Sequence, residues 1–178
     1  MINYGFYIGR FQPVHNGHLQ LINDALLRVK KLILFIGSAN SIRTKKNPFT
    51  FDERVDMISG CLKEVDKYRI TYIALDDFSN EKDWINSVKI TINNIAGANE
   101  KNIAIFGYCK DLSSSYLNWF PEYINMTIKE SYFNNLSSTT IRNNYFYCAE
   151  IDTLNLHKYV VRWLQLFTET KWFYDFIL

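Results

Sequence analysis

Short apolar runs alternate along the chain with segments in which apolar residues recur every three or four positions. The runs predict five strands, at about Tyr4–Ile8, Leu32–Ile36, Ile70–Leu75, Ile103–Phe106 and Asn125–Lys129. The helical spacing predicts helices over about Gly17–Val29, from Thr50, from about Glu81, after Ser137 and from Asp152. Strands that alternate with helices favour a central parallel sheet with helices on both faces, so the predicted fold class is α/β.

The predicted organisation is one domain with a helical end. Residues 1–150 carry the alternation of strands and helices, and residues 151–178 predict a C-terminal helical segment that packs on the same domain. The last residues, 172–178, are mostly apolar, and free chain ends are seldom so apolar. Three interpretations stay open: this end packs on the domain, packs on another subunit of a homo-oligomer, or leads into a second domain.

Composition narrows the class of protein. The chain has 178 residues, and its hydrophobic content of 48% is enough for a buried core. A net charge of +2 and the lack of a basic run argue against nucleic acid as a partner. The apolar runs are far shorter than the ~20 residues that span a membrane, and the first residues do not resemble a signal peptide. Cys61, Cys109 and Cys148 lie far apart without metal-ligand spacing, which predicts reduced thiols in a cytoplasmic protein.

The segment between the first strand and the first helix carries the clearest signal for chemistry. Gly9 lets backbone approach a ligand, and Arg10 adds a guanidinium. His15 and His18 bracket the first turn of the helix, where N–H groups and the positive end of the dipole favour phosphate. Each imidazole could instead cap the helix or pack. Because two of the three histidines of the chain follow this Gly-Arg loop, we interpret the pair as donors to oxygens that gain charge during phosphoryl transfer.

Two further strand ends carry small residues. Gly37 and Ser38 follow the second strand and Gly107 follows the fourth, at the edge where open α/β sheets bind nucleotides. The loop after Ser38 is basic and contains Arg43 and Lys46. A cluster of charges is usually solvated surface, but the position of this one favours a phosphate-binding loop.

A second anion site is predicted in Leu-Ser-Ser-Thr-Thr-Ile-Arg, where Ser137 and Thr139 come shortly before Arg142. The simpler interpretation is that these hydroxyls only cap a helix. Hydroxyls, N–H groups and one guanidinium also form a cradle for phosphate.

Two sequence motifs resemble those of a known enzyme family. Gly-Arg-Phe-Gln-Pro-Val-His-Asn-Gly-His, residues 9–18, resembles the nucleotidyltransferases with a His-x-Gly-His signature, and Ser-x-Thr-x-Ile-Arg at 137–142 resembles their second signature. Gly-Arg-Phe-Gln-Pro and Asn-Pro-Phe-Thr are similar to the archaeal-type nicotinamide-nucleotide adenylyltransferases, which also form the front half of some bacterial proteins fused to a Nudix hydrolase. The resemblance implies a Rossmann-like nucleotidyltransferase fold and adenylyl transfer from ATP to nicotinamide mononucleotide (NMN), giving NAD and pyrophosphate with Mg²⁺. It leaves open a homo-oligomer and a fused Nudix domain in a longer chain.

The resemblance also implies roles for individual residues. The reacting phosphates are expected to contact His15, His18 and Arg142. ATP is expected to contact Gly9, Arg10, Phe11, Gly37, Ser38, Gly107, Ser137, Thr139 and either Arg43 or Lys46. The nicotinamide nucleotide is expected to contact Asp77, Asn80 and Trp84, although a tryptophan at helical spacing is usually core. No protein ligand to a metal is expected, because Mg²⁺ would be held mainly by phosphates.

Two alternatives stay open. The His-x-Gly-His signature does not by itself separate NMN from other phosphate acceptors, such as phosphopantetheine, riboflavin phosphate or glycerol phosphate, which take an adenylyl or cytidylyl group. The second alternative is a non-catalytic sensor that binds ATP or NAD. The intact histidines and the two anion sites favour the enzyme.

Overall fold

The computed structural model describes residues 1–108, 112–128 and 136–177. These residues form the strands β1 (Ile2–Gly9), β2 (Val29–Ile36), β3 (Ile70–Ala74), β4 (Ile103–Tyr108) and β5 (Ile124–Ile128). The helices are α1 (Asn16–Arg28), α2 (Phe51–Ser59), α3 (Glu64–Lys67), α4 (Glu81–Ala96), α5 (Ser138–Cys148), α6 (Lys158–Phe167) and α7 (Lys171–Ile177). A 3₁₀ helix covers Leu112–Asn118.

The strands form one parallel sheet in the order β3-β2-β1-β4-β5. β1 lies in the middle, with Gly5 opposite Leu32 of β2 on one side and Ala104 of β4 on the other. The chain builds outward from β1 to β3 and then returns to the other side of β1. A crevice forms at the carboxyl ends of the strands at such a reversal, and ligands of open α/β sheets bind there. The predicted α/β class with a parallel sheet is confirmed.

Alternate residues of the central strands enter two hydrophobic clusters, one on each face of the sheet. Tyr7 of β1 joins the cluster that includes α1, α2, α5, α6 and α7. Phe6 and Ile8 join the cluster that includes Val88 of α4 and Leu117 of the 3₁₀ helix. Because both faces are covered, the central strands are almost wholly apolar, which explains why their sequences predicted buried parallel strands.

Several element boundaries differ from the prediction. β2 begins at Val29 rather than Leu32, because Val29 is buried and pairs with Ile2 although exposed lysines interrupt the apolar pattern after it. The helix predicted from Asp152 begins only at Lys158. The helix α3 and the 3₁₀ helix were not predicted, since segments this short show no helical period. The predicted end of the fifth strand at Lys129 and the thiol of Cys109 lie outside the described residues.

The C-terminal helices pack against α5. The ring of Phe173 in α7 lies 5.0 Å from that of Tyr145 and 5.7 Å from that of Phe146. The Tyr145 hydroxyl donates to the carbonyl of Leu164 in α6 at 2.7 Å. From these contacts we propose that residues 151–178 belong to the same domain as residues 1–150. Within the part of the chain that the structure describes, no helix has both the length and the apolar character needed to cross a membrane.

Candidate active site

The loop between β1 and α1 lies at the reversal of strand order and is held by buried polar contacts. Gln12 Nε2 donates to the Phe49 carbonyl at 2.9 Å, and Gln12 Oε1 accepts the Phe49 N–H at 3.0 Å. From the other side, Arg142 Nη1 donates to the Gln12 carbonyl at 2.7 Å. Because Gln12 is only 1% exposed, water does not compete for these hydrogen bonds. The loop is thereby fixed between the segment that enters α2 and the helix α5.

His15 and His18 form a reciprocal cap at the start of α1. His15 Nδ1 accepts the His18 N–H at 3.4 Å, and His18 Nδ1 accepts the His15 N–H at 3.3 Å. The two rings are stacked with their centroids 3.6 Å apart, and the buried ring of Phe11 lies 5.0 Å from that of His18. A neutral imidazole that accepts at Nδ1 carries its proton on Nε2. The cap therefore fixes both ring orientations and gives each ring an N–H donor at Nε2.

The N-terminus of α5 is tied to the same loop. Ser137 is the N-cap of α5, and its hydroxyl accepts a backbone N–H of the first turn at 3.2 Å. Ser138 Oγ donates to the Pro13 carbonyl at 3.0 Å. Thr139 Oγ1 accepts from Arg142 Nη2 at 3.2 Å. The structure therefore brings the two predicted anion sites together, although they lie far apart in sequence.

A cleft of about 390 Å³ lies between the N-termini of α1 and α5. Its described lining residues are Arg10, Phe11, Gln12, His15, His18, Leu136, Ser137, Ser138, Thr139 and Arg142, and none of these carries a carboxylate. Burial and the charge of Arg10 lower the pKa of Arg142 to about 10, so its guanidinium stays protonated at neutral pH. Cations, hydroxyls and N–H donors without a carboxylate are the groups that bind a polyphosphate.

Ser38 and Asp77 connect the ends of β2 and β3. Ser38 Oγ donates to Asp77 Oδ1 at 3.1 Å. The Asp77 N–H donates to Asn40 Oδ1 at 2.9 Å, and Asn40 Nδ2 donates to the Asp77 carbonyl at 3.3 Å. Ser38 has a φ of 50°, a conformation that is strained for a residue with a side chain. Ser38, which is predicted to contact ATP, is thus hydrogen-bonded to Asp77, which is predicted to contact the nicotinamide nucleotide.

The three predicted glycines differ in what a side chain would meet. A Cβ on Gly9 would lie 2.7 Å from the ring of Phe11, and a Cβ on Gly107 would lie 2.6 Å from Leu117. A Cβ on Gly37 would lie 3.6 Å from Arg10 Cγ, which is an ordinary contact. The packing of the protein itself therefore requires glycine at positions 9 and 107 but not at position 37.

Arg43 is paired within the protein, whereas Lys46 is exposed. Arg43 Nη1 and Nη2 lie 2.8 and 2.7 Å from the two carboxylate oxygens of Glu53, and Nη1 also donates to the Pro48 carbonyl at 2.7 Å. The Arg43 guanidinium also lies 4.8 Å from the centroid of the Trp172 ring in α7. Neither Arg43 nor Lys46 is among the described residues that line the cleft between α1 and α5. Their contacts to phosphate stay predictions.

Trp84 lies in the first turn of α4, and Asn80 is the N-cap of that helix. The Trp84 ring is half-buried and packs edge-on against Tyr116 and Trp119, with centroids 6.0 and 5.9 Å away. Asn80 is exposed and caps the helix, because its Oδ1 accepts the Asp83 N–H at 2.8 Å. Both residues have structural partners, and their contacts to a nicotinamide nucleotide stay predictions.

Comparison with known proteins identifies the family. The cytidylyltransferase-like family profile matches residues 6–144. The chain belongs to this family. It is 38% identical over 144 residues to the nicotinamide/nicotinic acid mononucleotide adenylyltransferase of Acinetobacter baylyi, which covers 81% of this chain and 76% of that protein. The chain is therefore also a member of the nicotinamide-nucleotide adenylyltransferases, which are nucleotidyltransferases, and the predicted family resemblance is confirmed.

Other relatives are matched over part of their length. The chain is 40% identical over 86 residues to the nicotinamide-nucleotide adenylyltransferase of Halorubrum lacusprofundi, over 48% of each protein. A bifunctional NMN adenylyltransferase/ADP ribose pyrophosphatase from Francisella tularensis superposes with a TM-score of 0.86 at 30% identity, over 99% of this chain and 53% of that one. A structure of the Francisella tularensis protein complexed with AMP and a Mn ion superposes with a TM-score of 0.87 at 29% identity, over 99% of this chain and 52% of that one. The chain spans about half the length of these relatives, and the likeness confirms the Rossmann-like nucleotidyltransferase fold.

The described side chains do not form a metal centre of their own. Within residues 1–108, 112–128 and 136–177, no group of three or more His, Cys, Asp or Glu residues is placed to hold a metal ion. Mg²⁺ prefers carboxylate oxygens, and the described lining of the cleft offers imidazoles, hydroxyls and guanidinium groups instead. The described side chains therefore do not fit a resident Mg²⁺ ion.

Sequence reasoning missed two side chains that build the site. The Gln12 amide lies in the Gly-Arg-Phe-Gln-Pro motif, so its position in the motif could have indicated a role. Arg54 of α2 donates from Nη1 to the carbonyls of Arg10 at 2.8 Å and Gly37 at 2.6 Å. These partners lie 44 and 17 residues away in sequence, and no local pattern predicts such contacts.

Proposed function

We propose that this chain transfers the adenylyl group of ATP to NMN, forming NAD and pyrophosphate. A 5′-phosphate oxygen of NMN bonds to the α-phosphorus of ATP, and the bond between that phosphorus and the oxygen leading to the β-phosphorus breaks. One observation carries the proposal: His15, His18 and Arg142 line a single cleft without a described carboxylate, in a member of the nicotinamide-nucleotide adenylyltransferases.

In this proposal His15 and His18 stabilise the charge that develops around the α-phosphorus. Their Nδ1 atoms hold the helix cap, so the Nε2–H groups are the donors to phosphate oxygens. Donors fixed before the reaction need no reorganisation in the transition state. Transfer of a phosphoryl-type group depends mainly on positioning and charge stabilisation, so neither histidine has to form a covalent bond.

The cations of the cleft neutralise the departing pyrophosphate. Arg10 and Arg142 are proposed to bind its oxygens, with the hydroxyls of Ser137 and Thr139 as further partners. Lys46 is better suited than Arg43 to add a contact from the basic loop, because Lys46 is exposed and Arg43 is paired with Glu53.

The carboxyl ends of the strands are proposed to bind the two nucleosides. The adenosine of ATP is proposed to lie against Gly9, Phe11, Gly37, Ser38 and Gly107. The nicotinamide nucleotide is proposed to contact Asp77, Asn80 and Trp84, since an indole face attracts a cationic pyridinium ring by ~0.5–2 kcal/mol. The hydrogen bond between Ser38 and Asp77 supports a shared site, because it joins the two sets of residues.

A divalent cation enters this proposal as part of the substrate. The described lining of the cleft does not fit a resident Mg²⁺ ion, so Mg²⁺ is expected to arrive bound to the triphosphate of ATP. The Francisella structure with AMP and a Mn ion supports the use of a divalent cation in this family. We expect that EDTA abolishes turnover and that excess Mg²⁺ restores it without any need to reload the protein.

The experiment that tests the proposal measures pyrophosphate release with ATP, Mg²⁺ and a panel of acceptors. The panel contains NMN, nicotinic acid mononucleotide, phosphopantetheine and riboflavin phosphate. Release with the two pyridine nucleotides only is the expected result, and the ratio of their rates gives the preference between amide and carboxylate. Release with another acceptor would contradict the proposed substrate. Binding of ATP without release for any acceptor would contradict the enzyme and favour the sensor.

A further inference from the structure

Arg54 is a buried arginine whose hydrogen bonds reach the ends of two strands. It is 1% exposed. Its Nη1 donates to the Arg10 carbonyl after β1 and to the Gly37 carbonyl after β2, and its Nε donates to the Thr50 carbonyl at 3.1 Å. Since Thr50 is the N-cap of α2, one side chain connects the start of that helix to both strand ends.

The two carbonyls that Arg54 holds belong to Arg10 itself and to Gly37, which lies beside the Arg10 side chain. A Cβ on Gly37 would lie 3.6 Å from Arg10 Cγ, so the stem of Arg10 runs alongside Gly37. The Gly37 N–H also donates to the Gly9 carbonyl at 2.8 Å. The Arg10 side chain therefore leaves the backbone at a point that is fixed on both sides, and from there it lines the cleft.

Burial and then the charge of Arg10 lower the pKa of Arg54 to about 10, whereas the carboxylates of Glu53 and Asp77 act in the opposite direction. The effect of Arg10 reflects repulsion between the two guanidinium groups. An anion between the strand ends and α5 would relieve it. The arrangement is consistent with a second arginine placed behind the first to aim it at a polyphosphate.

We infer that Arg54 is a positioning residue for ATP: it fixes the backbone around Arg10 so that the Arg10 guanidinium meets the triphosphate. The inference rests on the proposed function for its substrate. Arg54 itself touches no reacting atom in this account. Its effect passes through Arg10, and a displacement of about 1 Å at such a residue can cost up to about a hundredfold in rate.

Arg69 offers a control at the opposite edge of the sheet, although it is partly exposed and also pairs with Asp66. Its Nη2 donates to the carbonyls of Leu26 and Val29, both at 2.6 Å, and its Nε donates to the Lys30 carbonyl at 3.2 Å. Arg69 therefore also joins backbone carbonyls near strand ends. It lies just before β3, at the amino ends of the strands, and is not among the residues that line the cleft.

The test compares Arg54→Lys and Arg54→Met with Arg69→Lys and Arg69→Met. We expect all four variants to lower Tm. Only the Arg54 variants are expected to raise the Kd for ATP, about tenfold for Met and less for Lys, with the KM for NMN changed less than twofold. The inference would be overturned if a folded Arg54 variant bound ATP with the same Kd as the wild-type protein. An equal loss of ATP affinity in the Arg69 variants would overturn it as well.

A double-mutant cycle keeps the inference testable if Arg54→Met does not fold. In the Arg10→Met background, Arg54→Lys is expected to cause no further loss of ATP affinity, because the residue through which it acts is gone. Additive losses would contradict the inference. ATP binding is measured by calorimetry without an acceptor, so this comparison does not depend on turnover. If the wild-type protein binds ATP but forms no NAD, the proposed function is refuted and the comparison of ATP affinities stays valid.

Discussion

The imidazoles of His15 and His18 are stacked 3.6 Å apart, and each accepts the backbone N–H of the other residue at its Nδ1 atom. The Nδ1 contacts have a structural role, because they cap α1. They also have a chemical role, because they leave the proton of each neutral ring on Nε2. The two roles use different atoms of the same rings, so they can be separated by substitution.

We predict that His15→Asn and His18→Gln each keep the helix cap but lose the imidazole Nε2–H donor that stabilises the phosphate oxygens. Asparagine is a good N-cap, and glutamine at the third helical position completes a capping box. We therefore expect Tm to stay within a few degrees of wild type while kcat falls by about a hundredfold for each variant. Steady-state rates and thermal unfolding measure the two effects. Wild-type turnover in both variants would mean that the pair is only a cap.

Arg142→Ala is predicted to lower turnover by at least about tenfold. The change removes a buried cation from the cleft and the donor to the Gln12 carbonyl, so both charge stabilisation and loop position suffer. Arg142→Lys keeps the charge but not the forked guanidinium, and its turnover is expected to lie between those of wild type and Arg142→Ala. Arg162→Ala removes an exposed arginine of α6 and serves as the control for net charge. A loss in the control equal to that in Arg142→Ala would show that the effect is not specific to the cleft.

Gly9→Ala and Gly37→Ala are predicted to differ in stability. A Cβ at Gly9 would overlap the Phe11 ring, which packs on His18, so the free energy of unfolding is expected to fall by about 1–3 kcal/mol. A Cβ at Gly37 fits without overlap, so the same substitution there is expected to leave stability unchanged or raise it by up to about 1 kcal/mol. Urea unfolding measures both. A loss at position 37 as large as at position 9 would be inconsistent with this packing.

Trp84→Leu is predicted to raise the KM for NMN more than the KM for ATP. The control is Trp119→Leu, since the two indoles pack on each other and each change removes that contact. Only Trp84 lies in the first turn of α4, where the acceptor is expected. Separate KM values for the two substrates provide the readout. An ATP-specific defect in Trp84→Leu, or the same NMN defect in Trp119→Leu, would remove Trp84 from the acceptor site.

The sequence predicted the features that depend on local pattern. The strands were found because both faces of the sheet are covered. The helix predicted from Thr50 is α2, where Thr50 is the N-cap and forms a capping box with Glu53. The two predicted anion sites were singled out because each begins a helix with donors in its first turn, and both segments line one cleft. Glu53 shows the limit of this reasoning, because its carboxylate also binds Arg43, a contact that no local motif indicates.

What the sequence could not predict depends on contacts between distant segments. Arg54 was not singled out from the sequence, since its carbonyl partners Arg10 and Gly37 come from two other loops. Gly9 looked like an opening for a ligand, whereas the structure shows that its missing side chain makes room for Phe11. The start of β2 was missed because exposed Lys30 and Lys31 mask a strand that pairs with β1.

The central claim is that the cleft between α1 and α5 transfers an adenylyl group. The most direct measurement incubates the protein with NMN, Mg²⁺ and ATP labelled at the α-phosphorus, and follows the label in wild type and in the double variant His15→Asn/His18→Gln. The account predicts label in NAD with unlabelled pyrophosphate for wild type, and transfer slower by more than about a hundredfold for the folded double variant. The account would be contradicted if the wild-type protein bound ATP but left the label in it, or if wild type and the double variant transferred the label at equal rates.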